Sequence, residues 1–354
     1  PKDATAAELR LRRGRLRGRT GDHAGARTDL EEALRLAEAS GDRSLEMRCR
    51  DELGFLVAGA ADYRESVEHL ERALAIADEL GDIAGRVSAL SRLAITWANR
   101  AQLDRAQRSG ELAFETASAA RDEGLVAVAL DARKLVALLL GRLSDVERDG
   151  EELRRMYARR NDRWLEQFVD LETAFVSIAG CRFEEARERL ERALTTNREL
   201  HDDGNEPLIV GTFSPYHRCH GDVDEAVGIG RRALVLARER AHAEWIASTA
   251  SQLGGTLLQA GARDEAVEVL REGVEAAERS GAEMHDLRCA GMLVRTLARR
   301  EPGGGAPELL RSAEAKLEAV HVPPGEALLF AWDGAVGIAA AWLARSEPKR
   351  AVET

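Results

Sequence analysis

Residues 41–80 read GDRSLEMRCRDELGFLVAGAADYRESVEHLERALAIADEL. Gly41-Asp42 ends one helix and begins another: glycine accepts the left-handed conformation of a helix stop, and the Asp side chain accepts from the free N–H groups of the next first turn. Leu53, Gly54 and Val57 share one face of that next helix, and a short break at 59–62 follows. The return segment sets Tyr63, Ser66, Val67, Leu70, Ala73, Leu74 and Ala77 at three- and four-residue spacing, with Glu68, Glu71, Arg72 and Asp78 opposite. Such a stripe predicts a second helix whose apolar side must be covered by neighbours.

Working outward, the same helix pair returns every 40 residues, in eight copies from near Leu9 to near Leu317 without an insertion. One slot of the second helix reads Ala26, Ser66, Ala106, Val146, Ala186, Ala226, Ala266 and Ala306, and the slot seven residues on is again small, from Ala33 to Ala313, except at Leu153. Between them lies a slot of Leu or Gly: Leu30, Leu70, Gly110, Gly150, Leu190, Gly230, Leu270, Leu310. Small residues at fixed register let helices approach closely once per repeat, which makes the chain an all-α solenoid. The stop-and-cap pair recurs at Gly81-Asp82, Arg121-Asp122 and Asn161-Asp162, weakens at His201-Asp202 and is gone by Ala241-His242.

These slots resemble the tetratricopeptide repeat over nearly the whole chain. The family's small residue in the first helix matches Gly14, Gly54, Ala94, Ala174, Ser214 and Gly254, with Lys134 and Val294 departing. The terminal proline of the family is absent, and the period exceeds the usual ~34 residues, so longer helices are expected. The resemblance implies a right-handed superhelical solenoid of about eight helix-turn-helix repeats plus a C-terminal capping helix. The repeats fall near 5–40, 43–80, 83–120, 123–160, 163–200, 206–240, 243–280 and 283–320, with the capping helix near 326–345, all in one domain of residues 1–345, and a tail at 346–354. Three places break the rhythm. Pro215 lies inside the first helix of copy six, where a kink or a shortening is expected. EPGGGAP at 301–307 loosens a turn. The last segment is apolar, with Leu328, Leu329, Trp332, Ile338 and Trp342, and no return helix is expected after it.

Composition narrows the function classes. Charged residues are 32% of the 354, and no apolar run approaches the roughly 20 residues that span a bilayer, so no membrane segment is expected. The start, PKDATAAELR, has no apolar core of a secretion signal, which points to the cytoplasm. Four cysteines in separate repeats read as reduced structural thiols. A net charge of -11 disfavours direct nucleic-acid binding, because phosphate contacts dominate that affinity. Only Lys2, Lys134, Lys316 and Lys349 are lysines among 51 basic residues, a bias expected of a GC-rich genome such as an actinomycete's.

No catalytic constellation is legible: no nucleophile pairs with a base, and the glycines at 303–305 lack the Lys-Ser/Thr of a phosphate loop. His217, Cys219 and His220 match no metal-ligand spacing, so neither a metal nor a cofactor is expected. The binding surface is expected on the concave face, lined by first helices. In copies four and five the inward slots are Val128, Asp131, Leu135, Leu138, Trp164, Phe168, Leu171, Phe175 and Ile178. Either these form an apolar groove for a protein, a peptide or a small apolar ligand, or part of the set packs within the repeats because the face is displaced by one slot. The N-terminal run LRLRRGRLRGR is read in two ways as well: Arg10, Arg13 and Arg17 dock an acidic partner, or they belong to a solvated end cap.

The long repeats further resemble the sensor region of large STAND-type transcription activators such as the maltose-regulon activator. That resemblance implies a ligand-binding regulatory region, non-enzymatic, flanked in the full protein by an ATPase and a DNA-binding domain. The alternative is an interaction scaffold or peptide receptor without a transcriptional role. The apolar last helix leaves room for a homodimer through that helix.

Overall fold

The computed structural model describes residues 2–19, 22–59, 62–300, 307–324, 326 and 332–353. Eight helix pairs follow one another: α1 (Lys2–Arg19) with α2 (His23–Ser40), α3 (Arg43–Gly59) with α4 (Tyr63–Leu80), α5 (Ile83–Asn99) with α6 (Leu103–Ala120), and α7 (Glu123–Leu139) with α8 (Leu143–Arg160). They continue as α9 (Arg163–Ala179) with α10 (Phe183–Glu199), α11 (Glu206–His220) with α12 (Val223–Glu239), α13 (Ala243–Gln259) with α14 (Arg263–Ser280), and α15 (Glu283–Arg300) with α16 (Pro307–Glu318). α17 (Trp332–Ala344) and the short α18 (Pro348–Glu353) close the chain, so a return helix does follow where only a tail is expected. Arg350 of α18 lies over the Trp342 ring, 4.5 Å from its centroid. Of the last segment's expected apolar face, Leu328 and Leu329 lie outside the described residues, as do residues 301–306.

Adjacent first helices touch (α5 with α7, α11 with α13, α13 with α15), whereas adjacent second helices are held apart. The array therefore bends into a right-handed superhelix with the first helices on its inner side. The small slot of the first helix and the Leu-or-Gly slot of the second are complementary. A Cβ on Gly54 would stand 2.6 Å from Leu70 Cγ, and one on Gly254 2.4 Å from Leu270 Cδ2. In copy four the second helix has the glycine and the first carries the bulk: a Cβ on Gly150 would meet Thr173 at 2.6 Å and Lys134 Cδ at 4.0 Å. Lys134, the departure from the repeat pattern, is thus accommodated by the glycine of its own partner helix.

Asp42, Asp82, Asp122 and Asp162 accept from first-turn N–H groups as their positions predict, and Asp22 and Asp62 do the same for second helices. The turn geometry also persists where its sequence signal is gone. His201 and Ala241 hold φ of 54° and 50°, and His242 takes the cap position, its Nδ1 accepting from Trp245 N. A left-handed non-glycine residue costs roughly 1–2 kcal/mol, so the packed helix pairs on either side impose the turn. α11 is shortened to 15 residues around Pro215, against 17 or 18 in the other first helices, and Pro207 sits harmlessly in its first turn.

After about four and a half repeats the superhelix returns onto itself. His242 meets the Gly59 carbonyl, Arg100 pairs with Glu283 at 3.4 Å, and Arg142 with Glu326 at 2.5 Å. His321 N donates to Ala101 O and Asp104 N donates to His321 O, a short bridge between segments more than 200 residues apart. Buried Tyr63 hydrogen-bonds buried Glu244 and accepts from Asn99 Nδ2 at 3.0 Å. One hydrophobic cluster runs across this seam, joining Trp97, Leu139 and Leu140 with Leu287, Val294, Ile338 and Trp342. α17 is fixed to α15 through glycines in backbone contact: a Cβ on Gly291 would lie 2.1 Å from Gly334 O, so no larger residue fits.

Candidate ligand-binding groove

The inner face of the first three copies is a network of paired charges. Arg15 bonds Glu52 at 2.8 Å, and Arg92 pairs with Glu52 at 3.0 Å and Asp51 at 2.8 Å while its guanidinium covers the Phe55 ring at 4.6 Å. Burial pushes the Asp51 carboxyl up, whereas Arg92 and Arg15 outweigh burial at Glu52 and hold it down. Glu52 followed by Arg92 at one inner slot was the available signal for this network.

At mid-array the nine predicted residues divide by row. Leu138, Leu171 and Ile178 are buried, at 3%, 2% and 8% exposure, and belong to the hydrophobic core between neighbouring helices. For these three the packing alternative holds. The row of Val128 with Leu135 on α7, and of Phe168 with Phe175 on α9, stays open: Val128 is 40% exposed and the other three are half-buried. Trp164 is half-buried, packs edge to face on Phe168 with centroids 5.0 Å apart, and donates from Nε1 to Asp202 Oδ2 at 3.0 Å. An indole anchored by its N–H presents a rigid apolar surface at little entropic cost.

Under this row lies a group that sequence reading set aside as a mere departure. Lys134 is fully buried, with Nζ 3.0 Å from Asp131 Oδ1 and 2.8 Å from Glu172 Oε2. Burial works against the lysine's charge, yet the two carboxylates outweigh it and raise its pKa. Glu172 is pushed up to about 7 by burial, against the pull of Lys134 and with Asp131 adding repulsion. The triad has one carboxyl in excess of its lysine, and the groove floor becomes negative as Glu172 ionises.

The N-terminal arginines find their acid within the chain. Asp29, 2% exposed, accepts from Arg13 at 2.5 and 2.7 Å and from Arg17 at 2.8 Å, with Arg10 at 3.9 Å. An intramolecular carboxylate stands where an acidic partner is expected. The same pairing recurs sixteen residues apart in copy four, Arg133 with Asp149 at 2.8 and 2.9 Å. His217 and His220 share Asp222, at 3.7 and 2.8 Å, and His220 stacks on Tyr216. Among the described residues no cluster of His, Cys, Asp and Glu is arranged to hold a metal ion, and no helix is long and apolar enough to cross a membrane.

The architecture is that of a tetratricopeptide repeat array. Family models of the tetratricopeptide repeat match residues 5–79 and 246–280. No curated protein sequence matches the chain. Among solved structures, a Rap protein complexed with Competence and Sporulation Factor is similar over 99% of this chain and 98% of its own, at 14% identity and a TM-score of 0.61. NprR in complex with its cognate peptide NprX is similar over 84% of this chain and 87% of its own, at 14% identity and a TM-score of 0.56. A STAND protein with a tetratricopeptide repeat sensor from Pyrococcus horikoshii is similar over 92% of this chain, at 14% identity and a TM-score of 0.53, and this chain spans only 52% of it. At such identities the likeness is one of fold.

Proposed function

We propose that the chain is a non-catalytic binding array whose mid-array groove takes a peptide or another apolar ligand, and that it acts as the sensor region of a larger regulator. The observation that carries this is the open row Val128, Leu135, Phe168 and Phe175 beside anchored Trp164, apolar side chains left half-exposed on the inner face of a structure that buries most others. Two structural neighbours hold ligands, one of them named a cognate peptide, and a third carries its repeats as a sensor. A peptide with apolar anchors and one basic side chain suits the row and the excess carboxylate at Lys134.

Switching follows from the seam. The contacts Tyr63–Glu244, Arg100–Glu283 and Arg142–Glu326 join copies more than four repeats apart, so their geometry depends on the superhelical pitch. A ligand that prefers one pitch shifts the population toward it, by no more than its difference in affinity for the two forms. Flanking ATPase and DNA-binding domains would read that change. The second reading, a scaffold that binds without switching, is favoured if the seam stays closed in both states. α17 turns Ile338, Ala341 and Trp342 inward, leaving Trp332 and Leu343 exposed as the surface for a homodimer.

Native mass spectrometry of the chain purified from its own host tests the reading. A defined adduct, lost on joint substitution of Trp164, Phe168 and Phe175 by Ala in a folded protein, is expected; an adduct that persists in this variant removes the groove from the account.

A further inference from the structure

Most arginines in this chain have carboxylate partners; those lining one cavity on the inner side of copies six to eight do not. A cavity of 250 Å³ is lined by Arg218 of α11, Arg263 of α14 and Arg295 and Arg299 of α15, together with Gly255, Gln259 and Thr296. Among the described residues none of these four guanidiniums makes an ion pair or a hydrogen bond. Arg218 and Arg295 are half-buried, so water screens them only in part. The one carboxylate of the lining among the described residues, Asp333, stands 3.9 Å from a further arginine, Arg288.

The cavity exists because of one glycine. The inner slot that holds Phe55, Ile95, Leu135 and Phe175 in earlier copies is Gly255 here, and a Cβ added to it would meet Arg218 Nη1 at 2.9 Å and Met292 Sδ at 3.6 Å. The next residue in the same slot is Arg295. Emptying one apolar position and charging the next turns the groove from apolar to cationic within a single repeat. Gathering four like charges in a partly desolvated cavity costs energy that an anion recovers through charge-assisted, bidentate hydrogen bonds.

We propose that this cavity is a binding site for a phosphoryl group. Asp333 is set beside Arg288, so the four cavity guanidiniums keep their positive charge, which suits a di- or trianionic oxyanion better than a single carboxylate. Arg218 and Arg295 grip it from opposite helices, and Arg263 and Arg299 close over it from the rim. The site lies at the far end of α13 from the seam residue Glu244: Leu258 lines it, fourteen residues and therefore roughly 20 Å along the helix. It is separate from the Trp164 groove and does not depend on what binds there.

Calorimetric titration at constant ionic strength tests this, with inorganic pyrophosphate and a phosphoserine peptide as probes and chloride as control. Saturable binding of at least one probe is expected, weakened at least about tenfold in Arg218→Gln/Arg295→Gln. If that variant fails to fold, the rim variant Arg263→Gln/Arg299→Gln, at exposed positions, is expected to weaken binding in the same direction. Binding of pyrophosphate identifies a free phosphate ligand, and binding of the peptide alone identifies a phosphoryl group borne by a protein. No saturable binding of either probe, or equal binding by wild type and the arginine variants, overturns the proposal. Phe168→Ala/Phe175→Ala should bind the probes as wild type does, so failure of the apolar groove and failure of this site are told apart.

Discussion

Copies two to five and copies six to eight share one backbone plan and differ in what they do with charge on the inner face. In the first set, buried charges are paired: Arg92 sits between Asp51 and Glu52, and Lys134 between Asp131 and Glu172. In the second, Arg218 and Arg295 are half-buried and make no ion pair among the described residues. The slots that hold helix on helix are alike in both, Gly54 under Leu70 and Gly254 under Leu270. Fold therefore resides in the intra-repeat slots, and the inner rows vary without disturbing it.

The largest expected effect breaks the paired side. Lys134→Met leaves Asp131 and Glu172 facing each other in a buried site and should lower unfolding stability by about 3–5 kcal/mol in urea denaturation at pH 8. Adding Glu172→Gln should return part of that loss. If Lys134→Met alone unfolds like wild type, the triad is not the compensated unit described.

Next is the seam between the two regions. Burial raises Glu244 to about 7, with Tyr63 pulling the other way. A carboxyl whose pKa is raised on folding holds its proton in the folded state, so its contribution to stability falls as pH rises from about 4.5 to about 7. His242, lowered to about 4 by burial, acts in the opposite sense, costing stability as pH falls from about 6.5 to 4. The difference between Glu244→Gln and wild type isolates the first: the variant should lose about 2–3 kcal/mol less than wild type between pH 4.5 and 8. Identical pH profiles would show that Glu244 is hydrated and the seam open in solution.

Third in size, Phe168→Ala with Phe175→Ala should weaken any groove ligand by about 2 kcal/mol while leaving the seam contacts unchanged. Fluorescence of Trp164, which packs on Phe168, reports the same pocket. Undiminished affinity in the folded double variant would move the ligand elsewhere on the array.

What could be read from sequence follows the same division. The repeat, its register and the small slots were legible because each is a local pattern repeated eight times. Which row opens to the groove was not. A first helix is flanked by its own partner and by first helices on both sides, so most of its circumference is buried; the row of Val128, Leu135, Phe168 and Phe175 stays open, and the adjacent row of Leu138, Leu171 and Ile178 does not. The pairing of Arg13 with Asp29 was present as a matched departure repeated by Arg133 with Asp149, a signal visible only when both helices of a copy are compared. The seam could not be read at all, because contacts some 183 residues apart depend on the pitch, a sum of small rotations between repeats.

The smallest effect sharpens the comparison most, because its sign differs between the two regions. Removing a charge from the paired side destabilises the fold. Arg295→Gln, by contrast, removes a guanidinium that has no carboxylate to lose and relieves repulsion with the other cavity arginines. Gln keeps much of the aliphatic stem in place, so the packing against the groove wall changes little. Stability should rise, by no more than about 0.5 kcal/mol at low salt, and the gain should vanish as salt screens the cavity. Pyrophosphate should reverse the order, stabilising wild type more than the variant. A loss above about 1 kcal/mol without any anion present would mean that Arg295 already serves the fold, and that the cavity arginines of copies six to eight are compensated after all.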